Sequence, residues 1–67
     1  MIDIQALKEC IDDSGMTITA FCEKSGFSKQ TFYNRLKKPD NFTVAEVDGM
    51  ASALRMKAAQ KRRIFLS

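Results

Sequence analysis

One pattern recurs four times in this 67-residue chain: an apolar residue, then Asp, Thr or Ser, then a second apolar residue four places further on. It occurs as Ile2-Asp3 with Leu7, Met16-Thr17 with Phe21, Phe27-Ser28 with Phe32, and Phe42-Thr43 with Val47. A short oxygen-bearing side chain at a helix start accepts a hydrogen bond from an amide that the helix leaves unbonded. Apolar residues flanking that cap close over the first turn and set the angle at which the chain enters. At the fourth start Glu46 stands three places after Thr43, so a reciprocal capping box is expected there.

Four helix starts at this spacing leave little chain for anything else. Gly15 supplies a left-handed stop after the first helix. The spacing predicts helices over residues 3–14, 17–24, 28–37 and 43–55. Lys38-Pro39-Asp40-Asn41 reads as a loop, because proline removes a donor and restricts the residue before it. Residues 57–65 hold good helix formers without a proper cap, and are read as a separate fifth helix rather than a continuation of the fourth. No run of alternating β-branched residues is long enough for a strand. The expectation is an all-α, compact four- to five-helix bundle, one domain over residues 1–67. A chain of this size buries only about 60% of its unfolded surface, so its stability is marginal and a second subunit would help.

The formal net charge of +3 conceals a block pattern. Residues 1–23 set Lys8 against Asp3, Glu9, Asp12, Asp13 and Glu23, a balance of −4. Residues 24–39 carry Lys24, Lys29, Arg35, Lys37 and Lys38 with no acid. Asp40, Glu46 and Asp48 then give −3, and Arg55, Lys57, Lys61, Arg62 and Arg63 give +5. Basic blocks separated by acidic ones make patches, and such patches attract polyanions through counterion release and long-range steering.

Other functions lack their chemistry. The chain has no histidine, the usual general base for a Ser or Cys nucleophile. Cys10 and Cys22 both fall on apolar sides of helical patterns and read as reduced core thiols rather than a disulfide or a zinc site. No metal, cofactor or small-molecule substrate is expected, and no enzyme. No apolar run approaches the roughly 18 residues of a membrane span, and the N-terminus lacks the features of a signal peptide. The expected setting is the cytoplasm of a bacterial cell, at the nucleoid.

Within the acid-free block, helices two and three are short and joined at Ser25-Gly26-Phe27, where Gly26 can take positive φ without steric cost. This is helix-turn-helix spacing, in which the second helix fits the DNA major groove. An αα-hairpin with no nucleic-acid role has the same spacing. At "FCEKSGFSKQTFYNRL" the sequence resembles the helix-turn-helix of the phage repressor and Cro family, in particular its short single-domain members from prophages of Gram-positive bacteria. Phe21, Cys22, Gly26, Phe27, Ser28 and Phe32 match its packing positions, and "MIDIQALKE" and "FTVAEVDGMASAL" extend the likeness over nearly the whole chain. Two places depart from it. Lys37-Lys38 stands where many relatives have Asn-Gly, and Arg55-Met56-Lys57 where many have Gly-x-Ser/Thr.

If Phe32 faces the core, Lys29, Gln30 and Asn34 turn outward. Gln and Asn can each pair with adenine N6 and N7, and Lys can donate to guanine O6 and N7. The base-reading positions that the resemblance implies fall on Lys29, Gln30 and Asn34. Tyr33 beside them suits a thymine methyl or a phosphate. Thr17, Ser28, Thr31, Arg35, Lys37 and Lys38 are the candidate phosphate contacts, which set register and affinity but specify no base. The expected partner is operator double-stranded DNA, palindromic and bound by a homodimer, since one recognition helix touches few base pairs. Ile64, Phe65 and Leu66 are the candidate dimer contacts; the alternative is that Phe65 folds back onto helix one and completes the core of a single chain. The leading function is a sequence-specific transcriptional regulator, Cro-like or small repressor-like. The competing one is a helix-turn-helix reused as a protein-interaction module, such as an antirepressor.

Overall fold

The computed structural model describes residues 2–66. Among them there is no strand. The elements are α1 (Ile4–Ser14), α2 (Ile18–Ser25), α3 (Lys29–Lys37), a single 3₁₀ turn (Pro39–Asn41), α4 (Val44–Ala53) and α5 (Ala58–Phe65). The fold is an all-α bundle of five helices. All four capping side chains take their expected places. Asp3, Thr17, Ser28 and Thr43 have extended backbone and accept from the amides of Ala6, Ala20, Thr31 and Glu46. Glu46 returns the bond to the Thr43 amide at 2.9 Å, closing the capping box.

Helix ends follow the same logic. Gly15 and Gly26 sit at φ 77° and 94°, where glycine carries no Cβ penalty. The Gly26 and Phe27 amides both donate to the Cys22 carbonyl, turning the chain sharply from α2 into α3. The end of α4 differs from expectation. It stops at Ala53, and Arg55 takes positive φ at 53° while the Met56 amide donates to Ala51 and the Arg55 amide to Ser52. This is a Schellman motif with arginine where glycine is usual. It is why residues 58–65 make a separate helix although no glycine announces the break. The expected 38–41 loop also winds into its 3₁₀ turn, led by Pro39.

The core is formed by Leu7 and Ile11 from α1, Phe21 and Cys22 from α2, Phe32 from α3, Met50 and Ala51 from α4, and Ile64 and Phe65 from α5. Phe32 meets Phe21 edge to face at 5.4 Å and stacks on Phe27 at 6.0 Å, so the staple of α3 is continuous with the core. Cys22 is buried, and burial pushes its thiol pKa up against the opposing pull of Lys29. Cys10 is only half-buried, with Gln60 Nε2 at 3.5 Å from its sulfur.

Two of the three proposed dimer contacts are corrected here. Ile64 and Phe65 are 1% and 5% exposed and belong to the core of the single chain. The Asp3 amide donates to the Ile64 carbonyl at 2.7 Å, tying the entry of α1 to the last turn of α5. Leu66 alone of the three remains exposed.

Candidate nucleic-acid interface

Each turn of α3 is assigned by where Phe32 points. At 3.6 residues per turn, Gln30, Asn34 and Lys37 lie within roughly 40° of the direction opposite Phe32. Their exposure agrees. Lys29, Gln30, Tyr33, Asn34, Lys37 and Lys38 are exposed, Thr31, Arg35 and Leu36 are half-buried, and Phe32 is buried. The outward face of α3 therefore carries amides and cations and no carboxylate. Tyr33, though exposed, rests against the core. Its ring tilts over Phe32 at 5.8 Å and borders a shallow hollow of about 250 Å³ with Lys8, Ile11, Asp12, Ile18 and Leu36. The ring stands on the helix surface between Gln30 and Asn34 on one side and the core on the other.

The hydroxyls divide by what their protons do. Thr17 caps α2 by accepting from Ala20, which leaves its own proton free at an exposed helix start. Such a start, with unbonded amides and a favourable dipole, suits a phosphate oxygen. Ser28 accepts from the Thr31 amide at 3.1 Å and donates to Thr31 Oγ1 at 2.9 Å. Its proton is committed, and the one still available in this pair is that of Thr31.

Arg35 departs from the phosphate set. Its Nε lies 3.1 Å from Glu46 Oε1 and its Nη2 3.5 Å from Oε2, so the guanidinium grips the same carboxylate that closes the capping box. With this charge matched by Glu46 and the side chain 30% exposed, Arg35 is a strut between α3 and the start of α4. Sequence reading missed the pair because the partners are eleven residues apart on different helices, and only Glu46 carried a local signal. Lys37 and Lys38 remain without ion-pair partners among the described residues.

The strut makes a testable link to pH. Burial disfavours the charged form of Glu46, but the Thr43 amide and hydroxyl and the Arg35 guanidinium outweigh it and hold the carboxyl below its ordinary 4.5. A depressed folded-state pKa stabilises the fold above the unfolded value, and the contribution is lost as pH falls through the folded one. Glu46→Gln is therefore expected to cost about 1–2 kcal/mol at neutral pH and a smaller amount near pH 3. Urea unfolding of both proteins at the two pH values checks it. An equal difference at both would remove the charged pair from the stability of α3.

Comparison of the chain with protein-family models, curated proteins and solved structures finds no match. What this face can do follows from its own chemistry. No helix among the described residues is long and apolar enough to cross a membrane, and they hold no cluster of three or more His, Cys, Asp or Glu placed to bind a metal.

Proposed function

We propose that this chain is a sequence-specific double-stranded DNA-binding transcriptional regulator, of the Cro-like or small repressor-like kind, that reads the major groove with α3. One observation carries the reading. A short helix, capped by Ser28, anchored by Phe32 and braced by Arg35, turns outward a face of Gln30, Asn34 and Lys37 with no acid on it, while Lys29, exposed but about 60° from Phe32 around the axis, flanks that face from the core side. Rigid placement of amide groups is what bidentate adenine contacts require, and the cations suit guanine or phosphate. Thr17, Thr31, Lys37 and Lys38 supply phosphate contacts on either side. In this reading the protein acts in the bacterial cytoplasm as a homodimer on a palindromic operator, without cofactor or catalytic activity.

Selection of bound duplexes from random DNA tests the proposal, with an enriched two-part motif as the expected result. Against that motif, Gln30→Ala and Asn34→Ala are expected to keep the fold and each to relax preference at one position by about 1–3 kcal/mol. Competition with single-base operator variants measures this. Unchanged discrimination in both mutants removes these residues from base reading. Failure to enrich any motif at moderate salt favours a protein-interaction module instead.

A further inference from the structure

We propose that the apolar groove between the Pro39–Asn41 turn, the first turns of α4, and α5 is the surface on which a second copy of this chain docks. The groove encloses about 540 Å³, and Phe42, Val44, Val47, Phe65 and Leu66 supply much of its apolar lining. Val44 and Leu66 are 78% and 75% exposed, far more than any core residue and more than Tyr33 at 45%. Two large aliphatic side chains held in water over one apolar hollow mark a contact surface. Val44 is the first residue of α4, where the Thr43 cap fixes the backbone, so its exposure is set by the fold.

Charge identifies the occupant. Asp40 lines the groove from the 3₁₀ turn and Arg62 lines it from α5. Both are exposed, and neither has an ion-pair partner among the described residues. Asp48 and Lys61, which also line the groove, already pair with each other within the chain. One wall thus offers an unmatched acid and the other an unmatched base. A two-fold axis sets each wall against its opposite in the second copy, so both Asp40–Arg62 pairs form together while Val44 and Leu66 leave water. A uniformly acidic or basic partner would match one wall and be repelled by the other.

The groove begins two residues after the end of α3, so pairing across it would fix the separation of two recognition helices. That consequence rests on the DNA reading above, whereas the self-association does not.

Sedimentation equilibrium of the full chain without DNA, from micromolar to millimolar concentration, is the test. The parent is expected to dimerise in that range. Val44→Glu and Leu66→Glu, which alter exposed positions, are expected to keep the parent's helical circular dichroism and raise the dimer dissociation constant at least about thirtyfold. Asp40→Arg alone and Arg62→Asp alone each put like charges at both symmetric contacts and should be monomeric. An equimolar mixture of those two variants should regain a dimer, because every contact then joins opposite charges. A parent that stays monomeric throughout, folded Glu variants that dimerise as the parent does, or a mixture that stays monomeric overturns the proposal. A dimer that assembles as expected yet binds no duplex counts against the DNA reading alone, and operator binding by a lone monomer counts against the dimer alone.

Discussion

Gly49→Ala is expected to destabilise the fold by roughly 2–4 kcal/mol, lowering the melting temperature by on the order of 10–25 °C. Gly49 lies inside α4, where alanine would ordinarily be the better residue by about 1 kcal/mol. Here a Cβ would stand 2.1 Å from the Ser25 carbonyl oxygen and 3.0 Å from its carbon. These are backbone atoms in the last turn of α2, so no side-chain rotation relieves the clash. Either α4 moves away from α2 or the turn at Gly26 distorts, and both loosen the seat of α3. A thermal melt followed by circular dichroism measures the effect. An unchanged or raised melting temperature would mean that the two helices do not approach this closely.

Phe65→Ala has the other large expected effect, a loss of about 3–5 kcal/mol. The total stability of a chain this size is itself only about 3–10 kcal/mol. Phe65 is 5% exposed, belongs to the core beside Ile64 and forms part of the groove between α4 and α5. Its removal should therefore unfold much of the population, whereas Leu66→Ala, one residue later and exposed, should cost no more than about 0.5 kcal/mol. Urea titration of the two variants separates the roles. A folded Phe65→Ala monomer as stable as the parent would return this ring to the dimer surface and contradict its place in the core.

The difference between these neighbours explains what could be read in advance. Caps are local: Asp3, Thr17, Ser28 and Thr43 each bond an amide three residues away, so a stretch of five or six residues reveals the helix start. The outward face of α3 was legible for the same reason, since Phe32 fixes its rotation. Ile64 and Phe65 differ from Leu66 only in where α5 lies against α1, which no local pattern records. Arg35 looked like a free cation because Glu46 reaches it only once α4 packs beside α3. Arg55 hid the end of α4 by taking a conformation that usually advertises itself as glycine. Gly49 was not singled out, although its place carries a signal. A glycine in the middle of a helical stretch costs stability unless something must come close, but only the packing of α4 on α2 shows that the close neighbour is the Ser25 backbone.

The most direct measurement is operator affinity as a function of salt. The proposed phosphate contacts from Thr17, Thr31, Lys37 and Lys38 predict a steep linear fall of log affinity with log salt concentration. Replacing Lys37 and Lys38 together by alanine should weaken binding to all duplexes about equally and reduce that slope by up to about two. Binding that ignores salt, or a slope that the double substitution leaves unaltered, would contradict a DNA interface built on α3.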